Sequence, residues 1–477
     1  MDKSVLFATE NGNKYFYDQQ SNQFFLTHPS LTENECGIES DDSYYMKKYE
    51  YLKDHGFFSE EHPVKFEEQI DESIIEEGII QSQQLVFETT DHCNLHCTYC
   101  SLGDMYVFNK PGKKNIDTSK ALLALEYIFK RKASNSPFAI SFFGGEPLYN
   151  FDFIRVIINR AKTLNQAKKL NLSFNMTTNA TLLHKHIAFL VENDVHLLVS
   201  LDGDKISHSY RVFKDGRSSF EKVIENLDYI QQTYPNYFEN NISFNSVLHD
   251  KNSVERIYEF CWGKYKKIPM ISPLNTTFVN EQKKSLLNAM YRSKEKSEEH
   301  FLASNSPLVA QMHEKTGAYQ GVYKFMKNYS INSYFSNILS LLYEEVRTVP
   351  TGTCPPFRRK MFMNTDNQLL PCEKVSYKHV LGTVDEKGVH IDVKGIAKKF
   401  NAYYSAINTF CSACYNAKSC PICLLTIEHV DQLGANGFAC PSFSDKQAFK
   451  NRLGRIFTLL ERTPEDVVKV MEQSIVD

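Results

Sequence analysis

Residues 87–100 read FETTDHCNLHCTYC, and they carry the strongest evidence on the fold and chemistry of this 477-residue chain. An apolar and β-branched run at 84–90 leads directly into Cys93, Cys97 and Cys100. This order predicts a strand whose carboxyl end opens into a metal-binding loop. Three thiolates suit three irons of a [4Fe–4S] cube and leave the fourth iron open, a position for a substrate or cofactor.

Zinc is the alternative metal for these cysteines, because His92 or His96 would complete a tetrahedral site as the fourth ligand. Residues 1–11 have too short an apolar run for a signal peptide, and no stretch is long enough to span a bilayer. We therefore expect a reducing, cytoplasmic compartment, where clustered cysteines bind metal more often than they form disulfides. The net charge of −3 argues against nucleic acid and membrane surfaces as partners.

Strand and helix patterns alternate along the middle of the chain. The strand-like runs are 84–90, 138–144, 172–178, 195–201, 241–248 and 270–278, and the helical patterns are 119–131, 153–164, 184–192, 220–231 and 254–265. This alternation predicts an α/β fold with parallel strands and right-handed crossovers. Six such units would form an open or partial (β/α)6 barrel of the TIM type.

The flanking regions differ in composition from this alternating part. Two strands around a turn, a third strand and a helix predict a small N-terminal module, followed by an acidic linker at 64–83. A cysteine-rich region with little periodicity lies near the other end. We divide the chain into a module at 1–80, the barrel at 84–280, a helical bridge at 281–350, a cysteine-rich domain at 351–441 and C-terminal helices at 442–477.

Polar groups follow the predicted strands at the edge where parallel barrels carry their active sites. Gly144, Gly145, Glu146 and Pro147 follow the second strand; the glycines allow close backbone approach, and the carboxylate suits an ammonium group. Similar sets end the next two strands: Thr177, Thr178 and Asn179, then Ser200, Asp202 and Gly203.

With these motifs, the sequence resembles the radical S-adenosylmethionine (SAM) enzymes over residues 84–280. Cys93, Cys97 and Cys100 match the CxxxCxxC signature of that superfamily cysteine for cysteine. The resemblance implies a SAM-binding [4Fe–4S] cluster, reductive cleavage to a 5′-deoxyadenosyl radical and hydrogen abstraction from a C–H bond. The cofactor contacts it implies are Tyr99, Gly144, Gly145, Glu146, Pro147, Thr178, Asn179, Ser200, Asp202 and Arg211.

The second cysteine group is similar to the SPASM domain, which carries two auxiliary [4Fe–4S] clusters. By that resemblance Cys411, Cys414, Cys420 and Cys440 hold one cluster, and Cys354, Cys372 and Cys423 hold the other, with one iron lacking a cysteine ligand. Zinc again stays the alternative. The usual glycine before the second cysteine is Asn367 here, which tolerates a left-handed turn.

The N-terminal module resembles the winged-helix-like element with which peptide-modifying enzymes capture a leader peptide as an added strand. Together the regions resemble a maturase that forms a thioether or carbon–carbon cross-link in a ribosomal precursor peptide, with the leader bound by 1–80. An external electron donor such as flavodoxin or ferredoxin is the other partner implied. Glu373 is the candidate we name for the catalytic acid or base.

Two other functions stay open. An anaerobic sulfatase-maturing enzyme, which forms formylglycine, shares the barrel and the cysteine-rich region. Such enzymes carry an aspartate just after the second SPASM cysteine, where this chain has Glu373. A non-catalytic iron–sulfur electron carrier is the third interpretation, but it leaves Glu146 and the polar strand ends without a role. For the N-terminal module, the alternative to leader recognition is an N-terminal docking lobe.

Overall fold

The fold was examined in a computed structural model of the chain. It describes residues 4–18, 23–34, 37–55, 69–107, 112–317, 319–323, 351–417, 420–428, 430, 440–465 and 468. Part of the predicted bridge at 281–350 and the end of the predicted C-terminal helices at 442–477 lie outside these residues. Within the described residues, no helix is both long and apolar enough to cross a membrane.

The N-terminal residues form a small antiparallel sheet with a helix on one face. Its strands pair in the order β1 (Val5–Ala8), β2 (Lys14–Asp18) and β3 (Gln23–Thr27), with a second pair, β4 (Thr32–Asn34) and β5 (Gly37–Glu39), before helix α1 (Ser43–Asp54). The Asp42 carboxylate caps α1 by accepting the Tyr44 N–H at 2.9 Å. Leu6 and Phe16 of the sheet pack against Leu52 of α1.

The predicted acidic linker contains a helix, α2 (Glu72–Ile80). The Asp71 side chain caps it by accepting the Ile74 N–H at 2.9 Å, and Ile75 and Ile79 are buried. The high acidic content of this stretch suggested a solvated connection, whereas its isoleucines at helical spacing bury one face.

Six parallel strands follow, close to the positions that the sequence predicts. They are β6 (Gln84–Thr90), β7 (Pro137–Gly144), β8 (Asn171–Thr178), β9 (Val195–Ser200), β10 (Ile242–Leu248) and β11 (Met270–Pro273). They lie side by side in chain order, and each neighbouring pair is parallel. The predicted α/β fold around a mostly parallel sheet is confirmed.

Helices cover one face of these strands and leave the other face more open. They are α3 (Thr118–Arg131), α4 (Phe151–Lys168), α5 (Leu183–Glu192), α6 (Phe220–Thr233), α7 (Pro235–Asn241) and α8 (Val254–Tyr265). In β10 the buried Phe244 contacts Tyr265 of α8, with ring centroids 5.3 Å apart, whereas Asn245 is only half-buried. Three shorter helices follow β11: α9 (Lys284–Met290), α10 (Lys294–Leu302) and α11 (Val309–Met312).

The cysteine-rich region extends the barrel sheet. Its strands are β12 (Met361–Met363), β13 (Gln368–Leu370), β14 (Gly382–Asp385) and β15 (Gly388–Ile391). β12 pairs in parallel with β6, and the next three strands add antiparallel neighbours, giving a ten-stranded sheet. Sequence patterns cannot show this pairing, because about 270 residues separate β6 from β12.

Two long helices complete the described structure. Helix α12 (Val393–Ala413) lies in the region where the sequence shows little periodicity, and it buries Phe400, Tyr404 and Ile407. Helix α13 (Lys446–Arg462) lies against the N-terminal sheet, on the face opposite α1. Its Phe449, Leu453 and Phe457 form one buried cluster with Val5, Phe7 and Tyr17, so the two ends of the chain build one unit.

Replacing Gly454 with Ala is expected to destabilise the contact between α13 and β1. An added Cβ would lie 2.6 Å from the Ala8 carbonyl oxygen, which is backbone and unable to move aside alone. We expect a loss of about 1–3 kcal/mol in unfolding free energy, typical of overpacking. The matched control is Gly263→Ala in α8, where no atom lies within 4 Å, so helix propensity alone acts and gives a gain of up to about 1 kcal/mol. Thermal unfolding of both variants would measure this, and equal shifts would contradict it.

Candidate active site

The three cysteines of the CxxxCxxC motif lie in a half-buried loop directly after β6. The Leu95 N–H donates to Cys93 Sγ at 3.4 Å, and the Asn179 side-chain amide donates to the same sulfur at 3.7 Å. Burial raises the pKa of Cys93 to about 12 and shifts Cys97 and Cys100 in the same direction, so metal-free thiols stay protonated. Bound iron would displace those protons.

The donor set, three thiols on one loop, fits the three cysteine-bound irons of a [4Fe–4S] cube. Among the described residues, no three His, Cys, Asp or Glu side chains form a group suited to one ion. A cluster requires less convergence, because each thiolate binds a different iron. The N–H groups directed at Cys93 sulfur are also typical of thiolates that ligate a cluster.

Gly144 and Gly145 bring the end of β7 against the chain segment that enters the cysteine loop. The Gly145 N–H donates to the Thr90 carbonyl at 2.8 Å, and the Glu146 N–H donates to the His92 carbonyl at 2.9 Å. A side chain at either glycine would collide with the Thr90 or His92 carbonyl oxygen, and Gly144 has a φ of 132°. The glycines therefore permit close approach of two protein backbones as well as of any ligand.

Glu146 is fully buried and acts within the protein. Its carboxylate accepts hydrogen bonds from the Leu148 N–H at 3.2 Å, the Thr178 hydroxyl at 2.8 Å and the Asn179 N–H at 2.8 Å. Burial raises the pKa of Glu146 to about 7, against the hydrogen bonds that lower it. Within the protein the carboxylate braces the ends of β7 and β8, and its expected role as the acceptor of an ammonium group stays a prediction.

Asn179 joins the end of β8 to the cysteine loop. Its side-chain amide donates to the Asn94 side-chain oxygen at 2.9 Å as well as to Cys93 sulfur. Its own side-chain oxygen accepts from the backbone N–H of Thr181 at 3.0 Å, which fixes the orientation of the amide. Pro147 is buried at the start of the short 3-10 turn that follows Glu146.

Asp202, Arg211 and Tyr99 form a buried network beside these residues. Arg211 makes two hydrogen bonds to Asp202, at 2.9 and 3.1 Å, and the Tyr99 hydroxyl donates to the same carboxylate. Burial alone would raise the pKa of Asp202, but the Arg211 guanidinium holds it below its usual range. The Val247 N–H donates to Asp202 at 2.9 Å, so the carboxylate ties the cysteine loop to β10.

The resemblance implied that these three residues contact the cofactor. The structure places them together, with the Arg211 guanidinium 5.4 Å from the centre of the Tyr99 ring and Asp202 satisfied by protein donors. Asp202 therefore holds Arg211 and Tyr99 in place, and the expected cofactor contacts of all three residues stay predictions. Ser200 lies half-buried at the end of β9, in register with Asn245 of β10.

The sequence analysis missed Glu88. It lies on β6, is 1% exposed, and accepts hydrogen bonds from the Tyr377 hydroxyl at 2.5 Å and the Thr365 N–H at 3.0 Å. Burial raises its pKa, and no described cation pairs with it. A charged residue within an apolar strand run was the available signal, but its partners lie more than 270 residues away.

Six of the seven cysteines of the second group lie in two neighbourhoods. Cys411, Cys414, Cys420 and Cys440 line one cavity, which we call the four-thiol cavity. Cys354 and Cys423 lie near each other beside Tyr404, and their segments are joined by the hydrogen bond from the Leu424 N–H to the Thr353 hydroxyl at 2.9 Å. Cys372 is half-buried and donates to Glu373 at 3.3 Å.

Glu373 and Asn367 have clear structural surroundings. Lys360 pairs with Glu373 at 2.6 Å; burial raises the pKa of Glu373, but the lysine holds it below its usual value. The lysine therefore favours the charged form of Glu373, and its role as a catalytic acid or base stays a prediction. Asn367 adopts the left-handed turn that the sequence analysis expects, with a φ of 61°.

Comparison with known proteins relates part of this chain to a known superfamily. Residues 87–261 match the Radical SAM superfamily, so the chain contains a radical SAM domain. Such a domain implies SAM and a [4Fe–4S] cluster. The chain is 30% identical over 179 residues to "Radical SAM cyclopropyl synthase TigE" of Paramaledivibacter caminithermalis, a match that covers 35% of each chain. It is 32% identical over 206 residues to a cysteine-type anaerobic sulfatase-maturating enzyme of Clostridium novyi, covering 40% of this chain and 52% of that one.

The fold also resembles a solved structure. A chain described as native anSMEcpe with bound AdoMet and Cp18Cys peptide superposes with a TM-score of 0.51 at 18% identity, over 81% of this chain and 99% of that one. This similarity supports the fold alone. The chain spans about half the length, or less, of the two curated relatives it matches here.

Replacing Glu146 with Gln is expected to remove a pH dependence of stability. The folded protein holds a proton on Glu146 up to about pH 7, whereas the usual pKa of the group is 4.5. The contribution of this proton to the free energy of unfolding is fully present below about pH 4.5 and is lost as the pH rises through 7, a change of about 3 kcal/mol. We expect the thermal stability of iron-free wild-type protein, relative to the variant, to fall between about pH 5 and pH 8.

The surface variant Glu239→Gln serves as the control, since that side chain is exposed. A constant difference between wild type and Glu146→Gln across this pH range would contradict the raised pKa.

Proposed function

We propose that this protein is a radical SAM enzyme that cross-links a ribosomal precursor peptide through a thioether or carbon–carbon bond. The observation that supports the radical chemistry is the set of hydrogen bonds that join the CxxxCxxC loop and its flanking residues to the ends of β7, β8 and β10. Cys93, Cys97 and Cys100 would hold a [4Fe–4S] cluster. When bound, that cluster and SAM supply the radical that removes a hydrogen atom from the substrate.

The side chains of this site have separate tasks in the proposal. Glu146 fixes the relative positions of the β7 and β8 ends, and Asn179 orients Cys93. Asp202 holds Arg211 and Tyr99 in place, and these three residues would line the SAM site. The half-buried side chains on the open face of the strands, such as Ser200 and Asn245, would contact SAM or the peptide.

The N-terminal sheet supports a peptide as the substrate. A groove between β3 and α1 is lined mainly by apolar side chains, among them Phe16, Phe24, Leu26 and Tyr49. Among the described strands β3 pairs only with β2, and Leu26 on it is 68% exposed. An extended peptide could add to this edge through main-chain hydrogen bonds and place alternate side chains in the groove. We propose that a leader peptide binds there.

The cysteine-rich region would hold two auxiliary [4Fe–4S] clusters. We propose one at the four-thiol cavity and a second at Cys354, Cys372 and Cys423. These clusters would accept the electron that leaves the substrate when a cross-link forms with net loss of two hydrogens. An external donor such as flavodoxin or ferredoxin would reduce the SAM-binding cluster.

Removing a cysteine of the first group is expected to abolish cleavage of SAM. Reconstituted wild-type protein with dithionite should form 5′-deoxyadenosine, whereas Cys97→Ala should form at most about one thousandth as much, because the cluster loses a ligand. Cys261→Ala is the matched control, since Cys261 is a buried core residue of α8. Iron should be roughly twelve atoms per wild-type chain for three cubes. Iron-loaded wild-type protein that forms no 5′-deoxyadenosine would favour the electron carrier.

Co-expression with a short peptide encoded beside the gene tests the substrate. We expect the peptide to lose two hydrogens in mass per cross-link. Leu26→Asp should weaken peptide binding by tenfold or more, because a charge would replace an apolar contact at the β3 edge. Val156→Asp on the exposed side of α4 is the control. Equal binding by both variants would contradict the groove as the leader site.

Sulfatase maturation is the second candidate, favoured by the 32% identity to the Clostridium novyi enzyme. A cysteine-containing sulfatase peptide incubated with the reduced enzyme would then gain an aldehyde, detectable with a hydrazide probe. An aldehyde product, together with no mass change in any co-expressed precursor, would replace the cross-linking proposal. Both reactions require the same 5′-deoxyadenosine product, so the peptide decides between them.

A further inference from the structure

Helix α13 connects the four-thiol cavity to the groove between β3 and α1, which we call the peptide groove. It begins six residues after Cys440, which lines the four-thiol cavity. The residues between Cys440 and α13, 441–445, form a segment that we call the connector, and it is hydrogen-bonded to the loop after α12. The Ser444 N–H donates to Cys414 Sγ at 3.4 Å, and the Tyr415 N–H donates to the Ser444 carbonyl at 2.9 Å. The start of α13 is therefore set by the walls of the cavity.

The body of α13 supports the peptide groove from behind. Phe457 contacts three aromatic side chains of the sheet, with ring centroids 4.7 Å from Tyr15 and 5.0 Å from both Phe7 and Phe24. Phe24 also lines the groove. A shift of α13 would thus move a wall of the groove, because aromatic packing at these distances leaves little free space.

The end of α13 is held by the hairpin between β1 and β2. Glu461 accepts hydrogen bonds from Thr9 at 3.2 Å, Asn11 at 2.7 Å, Asn13 at 3.0 Å and Tyr15 at 2.9 Å. Arg462 pairs with Glu10 at 2.7 Å. At the other end, Glu33 pairs with Lys446 and Lys450. The helix therefore contacts the sheet along its whole length and moves with it.

We propose that α13 couples metal binding in the four-thiol cavity to the order of the peptide groove, so that each stabilises the other. This inference rests on the proposed cluster at Cys411, Cys414, Cys420 and Cys440. A bound cluster fixes Cys440 and Cys414, and through them the connector and the first turn of α13. Without metal those thiols lose their common partner, the connector gains freedom, and the sheet loses part of its support. Thermodynamic linkage makes the effect reciprocal.

Hydrogen exchange of the full-length protein under anaerobic conditions tests the coupling without a peptide. We expect iron loading to slow amide exchange in β1 and β2 by about 5- to 100-fold relative to chelator-treated protein, the usual range for coupled sites. Cys420→Ala should abolish this protection, because it removes a cluster ligand outside the connector. Cys93→Ala should keep it, since that variant affects only the SAM-binding cluster.

An insertion of two glycines between Ser442 and Phe443 provides the control for the pathway. The protein with this insertion should still bind iron at the four thiols, but iron loading should no longer slow amide hydrogen exchange in β1 and β2. Equal exchange of β1 and β2 with and without iron would overturn the coupling, provided that iron counts show the cavity filled. Absence of iron from the four thiols would overturn the proposed cluster, and the coupling with it.

Discussion

Two backbone hydrogen bonds hold the candidate site together, and the surrounding residues depend on them. They join the end of β7 to the segment between β6 and the cysteine loop, through Gly145 to Thr90 and Glu146 to His92. Backbone bonds of this kind form only if no side chain intervenes, which explains both glycines. Once the two strand ends are joined, Glu146 reaches β8, and Asn179 of β8 reaches back to Cys93. The site is thus a closed ring of contacts around the cysteine loop.

The buried carboxylates of the site differ in how their charge is balanced. Asp202 and Glu373 each have a basic partner, Arg211 and Lys360, which keeps them ionised. Glu146 and Glu88 are stabilised by N–H and hydroxyl donors, and burial raises the pKa of both. Keeping unpaired acids in such surroundings is costly, so their presence is better explained by positioning or proton chemistry than by stability.

The sequence predicted local features well and long-range features poorly. The strands β6 to β11 and helix α8 follow from periodicity, and the polar strand ends follow from the chemistry of their residues. The pairing of β12 with β6 and the partners of Glu88 depend on contacts over more than 270 residues, which no local pattern encodes. In the fold, protein donors surround Glu146 and Asp202, and the ligand contacts that the resemblance implies for them stay predictions. Helix α2 was not predicted, because its acidic residues suggested a solvated linker although two of its isoleucines are buried at helical spacing.

The packing of α13 on β1 has a consequence for how the chain folds during synthesis. The apolar face of Val5, Phe7 and Tyr17 is synthesised more than 400 residues before its cover, Phe449 to Phe457. Until that cover is made, these apolar side chains lack part of the packing they have in the folded protein, which favours aggregation of the nascent chain. Final burial of the N-terminal sheet therefore waits for α13, and its timing during translation is set by a helix at a distant position in the sequence.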